Sequence, residues 1–194
     1  PSLEGVVFPV DIHPREAKFA GERVSMGSGG DSFYEYLLKQ GLQRPRSKAR
    51  LRRQYREVID TAVARSSGWV SKGRRFVGES QRARSDPQHK MEHLACFLPG
   101  MLALGHVTGV ATEGPQGGSS NAHLTAAEEI MRVCMEMYTS TTTGLSAEAY
   151  ETAPGKPVRP QRTFKYSLLR PETVESAFIL WRVTKNNKYR CNVP

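Results

Sequence analysis

Apolar residues in this chain recur at three- and four-residue spacing, a period that predicts helices rather than strands. The clearest case spans 121–139, where Leu124, Ala127, Met131, Cys134 and Tyr138 fall on one stripe. Met131, Met135 and Met137 in the same stretch read as core filler. A second helix is predicted over 47–65, with Leu51, Tyr55, Val58, Ile59, Ala62 and Val63 on its apolar face. A short one over 32–40 starts with a capping-box spacing, Ser32 and Glu35. The stretch 91–104 is helical in pattern but interrupted by Pro99 and Gly100. A last helix is predicted over 171–184, with Val174, Ala177, Phe178 and Trp181 facing inward. Strand signals are weak and confined to 75–77 and 162–166. Between the helices, 105–120 reads as loop and 154–160 as an extended, proline-rich connection. The expected fold class is all-α with long connections, and long loops in a compact domain are commonly functional.

Composition alters this picture little. The 194 residues suit one domain, and 38% hydrophobic with 24% charged residues is ordinary for a globular protein. No apolar run is long enough to cross a bilayer, and no secretory leader is visible. The chain begins at Pro1 and ends just after a helical pattern, so an internal fragment is expected, with any targeting segment or membrane anchor outside it. The net charge of +9 is concentrated: residues 44–90 hold 14 Lys/Arg and 4 Asp/Glu. Such a cluster could neutralise phosphates, but the arginines lie between apolar helical positions, which favours a solvated basic face over nucleic-acid binding. The three cysteines, Cys96, Cys134 and Cys191, lack metal-knuckle spacing.

The chemistry concentrates at Leu169-Arg170-Pro171-Glu172-Thr173-Val174-Glu175-Ser176. Glu172 and Glu175, three apart, share one face of a helix. With Arg170 they could hold a polar substrate or a metal-bound water. The plainer alternative is a helix start, with acids favouring the dipole and proline early in the first turn. Three other stretches join the cluster: Gly27-Ser28-Gly29-Gly30-Asp31-Ser32-Phe33-Tyr34-Glu35-Tyr36-Leu37-Leu38-Lys39-Gln40, Met91-Glu92-His93-Leu94-Ala95-Cys96-Phe97-Leu98-Pro99-Gly100, and Thr143-Gly144-Leu145-Ser146-Ala147-Glu148. Each has an ordinary reading of its own: Asp31 as a helix cap, His93 as a satisfied core histidine, Glu148 as loop surface, Arg170 as a partner for Glu35, Glu172 or Glu175.

Taken in order, the four stretches resemble the class I α-1,2-mannosidases, glycoside hydrolase family 47, from about Arg23 to Arg190. The resemblance implies part of an (αα)7 barrel of paired helices with long loops gathered at one end. On it, residues 1–194 form a partial catalytic domain, inactive and poorly stable alone. It implies a calcium-dependent, inverting hydrolase of α-1,2-linked mannose in high-mannose N-glycans, working in the endoplasmic reticulum or Golgi. By position, Asp31, Glu148 and Glu172 match catalytic carboxylates, with Glu172 the general base. His93, Arg170 and Glu175 match residues lining the mannose site. A disulfide between Cys96 and Cys134 is also implied, as is a direct calcium ligand lying beyond Pro194. Gly29 stands where the endoplasmic-reticulum-type enzymes carry arginine and the Golgi-type ones leucine, which implies a looser linkage preference. The rival within the same resemblance is a glycan-recognition protein with little turnover.

Overall fold

The computed structural model describes residues 7–43, 49–82, 85–112 and 121–191. The chain opens with a minimal hairpin, β1 (Ile12–His13) and β2 (Lys18–Phe19), followed by α1 (Asp31–Gln43) and α2 (Ala49–Ser66). A second antiparallel hairpin, β3 (Ser67–Ser71) and β4 (Arg74–Val77), turns the chain back. Then come β5 (Lys90–Glu92), a 3-10 turn (His93–Phe97), α3 (Leu98–Val107) and α4 (Ala122–Thr139). Strands β6 (Ala149–Glu151) and β7 (Arg159–Pro160) complete a small sheet of order β5-β6-β7, and α5 (Glu172–Thr184) and α6 (Lys188–Cys191) close the chain. The fold is mainly helical, as the periodicity predicted, with strands only as short clips between helices.

The centre is α3, which packs against both α4 and α5, while α1 pairs with α2. Seven of its ten residues are buried, Leu98 to Ala103 and Gly105. A helix apolar on every side belongs inside rather than on a surface. One contiguous core joins α1, α2, α3, α4 and the β3–β4 hairpin, including Tyr34, Leu38, Tyr55, Ile59, Phe76, Ile130 and Met131. The Cys96–Cys134 disulfide ties the 3-10 turn to α4, with Cα atoms 5.9 Å apart and both residues fully buried.

Several boundaries and faces differ from expectation. Met91 to Leu104 is not one interrupted helix: Met91 is in β5, the turn follows, and Pro99 sits in the first turn of α3, where it has no helical hydrogen bond to forfeit. Helix α1 begins at Asp31, so Ser32 lies inside it and donates its N–H to Asp31 Oδ1 at 2.8 Å. The segment 162–166 contains a 3-10 turn, Arg162–Phe164, rather than a strand. Part of the expected loop 105–120 is helical, since α3 runs to Val107 and a 3-10 turn covers Val110–Thr112; 113–120 lies outside the described residues. In α5, Thr173, Ser176, Ala177 and Leu180 face inward, while Val174 and Phe178 are about half exposed. The inward serine and threonine are used as hydrogen-bonding groups, which an apolar pattern cannot register.

The basic face of α2 is less solvated than expected. Arg52 Nε donates to the Gly41 carbonyl at 3.0 Å, and Arg56 Nη1 to that of Val110 at 3.4 Å. These guanidiniums fasten α2 to α1 and to the turn after α3. No helix among the described residues is long and apolar enough to cross a membrane.

Candidate active site

Backbone pairing, rather than side-chain affinity, first brings the site residues together. Strand β5 ends at Glu92 and β6 begins at Ala149, with Glu92 opposite Ala149. The ladder continues one residue further, His93 N–H donating to the Glu148 carbonyl at 2.9 Å. The Glu148 N–H is in turn shared between the carbonyls of Phe164 and Tyr166, at 3.0 and 3.1 Å. Residues 93 and 148, 55 apart in sequence, are thus fixed by main chain alone.

The Glu148 side chain is held just as firmly. Its Oε1 accepts the Leu168 N–H at 3.1 Å and its Oε2 accepts Arg170 Nε at 2.5 Å. Between those two donors sits Leu169, left-handed at φ 52 and 79% exposed. A side-chain-bearing residue in that region costs on the order of 1 kcal/mol. The kink lets two residues of one short segment reach the same carboxylate. The hydrogen bond to Glu148 raises the Arg170 pKa; burial opposes it, and the charges of Glu148, Glu172 and Glu92 add to it.

The start of α5 delivers Glu172 against His93. Its Oε2 lies 3.5 Å from His93 Nδ1, and both atoms are buried without a hydrogen bond to any described residue. The contact is therefore electrostatic, at the edge of hydrogen-bond range. On the other side of the ring, Nε2 lies 2.7 Å from the Tyr138 hydroxyl and 3.2 Å from Thr173 Oγ1. Burial raises the Tyr138 pKa, a Thr173 bond opposes it, and neighbouring carboxylates reinforce it. Tyr138 thus stays a phenol able to donate to Nε2, a network that assigns the remaining proton to Nδ1, facing Glu172. For Glu172, burial alone would raise the pKa. Contact with His93, the backbone N–H of Glu172 itself and the charge of Arg170 outweigh it, so the carboxyl ionises below its usual range.

One helical turn onward, Ser176 is fully buried beneath this pair. Its Oγ accepts the Gly100 N–H at 2.9 Å and donates to the Cys96 carbonyl at 2.5 Å. It therefore sets the distance of α5 from the turn that carries His93.

Gly29 lies on the loop before α1, and Asp31 is the first residue of that helix. Ser28 N–H donates to Glu92 Oε2 at 3.1 Å, hanging this loop beside His93. Gly30 belongs to its backbone: a Cβ there would stand 1.9 Å from the Ser25 carbonyl oxygen. Gly29 is left-handed at φ 86 and exposed. The loop brings Asp31 toward the cluster, but among the described residues no hydrogen bond or ion pair joins it to Glu148, Arg170 or Glu172. Glu175 is likewise outside the inner cluster; it meets Lys39 Nζ at 3.4 Å, and Lys39 meets Glu35 at 2.6 Å. The expected partner of Arg170 among Glu35, Glu172 and Glu175 is replaced by Glu148.

Tyr138, Thr173, Ser176 and Glu92 were not among the expected site residues. Spacing puts Tyr138 on the core stripe of α4, and only its hydroxyl, at the end nearest the loops, marks it as more than filler. The other three flank motif residues, and adjacency was the sole signal available.

The chain matches a family model, Glycosyl hydrolase family 47, over residues 2–192. The chain belongs to that family. A mannosyl-oligosaccharide 1,2-alpha-mannosidase of Arabidopsis thaliana is 36% identical over 98% of this chain and 35% of its own length. The endoplasmic reticulum mannosyl-oligosaccharide 1,2-alpha-mannosidase of Schizosaccharomyces pombe is 34% identical over 95% of this chain and 37% of its own. In structure, an alpha-1,2-mannosidase from Trichoderma reesei superposes with a TM-score of 0.78 at 22% identity, over 99% of this chain and 41% of that one. The family 47 chain described here thus spans about a third of the length of these curated relatives. Its helices are part of the family's (αα)7 barrel.

A family 47 site is expected to hold calcium. Among the described residues no three His, Cys, Asp or Glu side chains converge as a metal site. Glu172 is nonetheless a part-exposed carboxylate that ionises below its usual range. Such a group suits a hydrated hard cation, since calcium takes oxygen ligands and keeps several waters.

Proposed function

We propose that the protein containing this chain is a calcium-dependent, inverting α-1,2-mannosidase that trims high-mannose N-glycans in the lumen of the secretory pathway. The observation that carries this reading is the Glu172 carboxylate, partly buried yet kept ionised by His93 and Arg170, in a family 47 chain. A general base must be unprotonated, and Glu172 is held so. Its carboxylate accepts a proton from the attacking water as that water's oxygen bonds to the anomeric carbon, and the bond to the glycosidic oxygen breaks as the departing oxygen takes a proton from the second carboxyl. Asp31 supplies a second carboxyl through water, and inverting enzymes separate their two carboxyl groups to leave room for that water. Arg170, locked on Glu148, presents its remaining N–H groups to sugar hydroxyls, with Glu175 and His93 completing the lining. When bound, calcium would position the attacking water and the sugar hydroxyls. The disulfide fits an oxidising compartment.

The deciding experiment is mannose release from a Man9 N-glycan by the full-length protein, with and without a calcium chelator. Release that needs calcium, starts as the β-anomer by NMR and disappears in Glu172→Gln is the expected result. A folded, calcium-saturated protein that binds the glycan and releases nothing would overturn it in favour of glycan recognition.

A further inference from the structure

The two carboxylates of the proposed reaction stand on different elements, and one side chain outside the expected site ties those elements together. Asp31 opens α1, whereas Glu172 opens α5 against His93. Asp31, with no bond of its own to His93 or Glu172 among the described residues, takes its place from the loop before it. At the start of that loop, Val24 and Ser80 exchange both main-chain hydrogen bonds at 2.9 Å. At its end, the N–H groups of Gly30 and Asp31 both donate to the Gly27 carbonyl, at 3.0 and 2.9 Å. The Ser28 N–H donates to Glu92 Oε2 at 3.1 Å.

The Gly27 carbonyl and the Ser28 N–H belong to one planar peptide group. Glu92 fixes its N–H end, and its C=O end fixes the first N–H groups of α1. Turning that plane would break both contacts and shift Asp31. Glu92 is itself firmly placed. Its main chain pairs with Ala149, Lys90 Nζ lies 3.3 Å from its Oε1, and its side chain is only 19% exposed. A Cβ on Gly27 would stand 3.1 Å from Glu92 Oε2, so the loop seats directly on the carboxylate. The next residue is His93, whose Nδ1 meets Glu172 across 3.5 Å. Glu92 thus reaches Glu172 through its own chain neighbour and Asp31 through a single peptide group.

We infer that Glu92 is a positioning residue, which fixes the separation of Asp31 from Glu172 without touching substrate. The inference rests on the function proposed above. Inverting hydrolysis needs its two carboxyl groups held apart to admit one water. A misplacement of about 1 Å can cost roughly a hundredfold in rate.

The test compares Glu92→Ala and Glu92→Gln in the full-length protein. Glutamine keeps a side-chain oxygen for the Ser28 N–H, and alanine removes it. Glu92→Ala is expected to lower kcat on a Man9 N-glycan by about tenfold or more with little change in KM, and Glu92→Gln to recover most of that loss. In hydrogen exchange, the amides of residues 28–31 should exchange about tenfold faster in Glu92→Ala and near the wild-type rate in Glu92→Gln, with α4 unchanged. Should Glu92→Ala fail to fold, Glu92→Asp, which withdraws the acceptor by one methylene, takes its place with the same expectation. A near wild-type kcat in the alanine variant overturns the inference, as does unchanged exchange at 28–31 or a glutamine variant as impaired as alanine. Wild-type protein that releases no mannose, but whose loop is loosened by Glu92→Ala, would overturn the proposed function and leave the positioning of Asp31 by Glu92 standing.

Discussion

Breaking the Cys96–Cys134 bridge tests how much of the site's rigidity is covalent. The bridge closes a loop of 38 residues. In the chain-entropy treatment, ΔS of about −2.1 − 1.5R ln n gives roughly −13 cal/mol/K, or about 4 kcal/mol at 25 °C. Both cysteines are fully buried and Met137 Sδ lies 4.0 Å from Cys96 Sγ, so paired alanines also forgo close sulfur packing. A domain of this size loses roughly 2–4 °C in Tm per kcal/mol, so Cys96→Ala/Cys134→Ala should melt about 8–16 °C lower. The assay is a calorimetric melt of wild type and double variant, repeated with the wild type under reductant. Reduction should reproduce most of the loss. A double variant within 2 °C of the wild type would refute the reasoning, because it would mean that α4 and the 3-10 turn are held by packing alone.

Four further outcomes follow from the site geometry. Glu172 has a folded pKa below its unfolded value, so its stabilisation is present above the unfolded value and is lost as pH falls through the folded one. The acid limb of kcat/KM set by this group should accordingly lie below the ordinary carboxylate range. His93→Gln should move that limb to higher pH, and an unmoved limb would disconnect the histidine from the base. Ser176→Ala strands the Gly100 N–H and removes a donor from the Cys96 carbonyl. A loss of about 1–3 kcal/mol in a denaturant titration is expected. Gly30→Ala should cost about 1–3 kcal/mol by overpacking against the Ser25 carbonyl. Gly29→Arg, attractive as a way to narrow linkage preference, carries a strain of about 1–2 kcal/mol at its left-handed φ. Its product range on Man9 should be compared at matched folded fraction, with an unchanged range refuting the specificity role.

The sequence was most readable where burial is purely apolar. Ala127, Met131 and Cys134 are all at or near zero exposure, as their spacing on α4 predicted. It was least readable where a polar side chain is buried to make a bond. Helix α5 was rotated by one residue because Thr173 and Ser176 look like surface, while Val174 and Phe178 look like core. Strand β5 is three residues long, too short for alternation to show. The carboxylates, His93 and Arg170 were legible only as motif residues. Nothing local announces that Arg170 turns to Glu148, since that pairing depends on a left-handed leucine and on a β-ladder between residues far apart in sequence.

That ladder has a practical corollary. The main-chain bonds joining residues 93 and 148 involve no atom beyond Cα of either. Glu172→Gln, isosteric and outside that ladder, should therefore silence chemistry while leaving the cradle's shape intact. On the proposed function, full-length protein carrying it would be suited to act as a substrate trap, retaining glycoprotein substrates long enough to be recovered and sequenced.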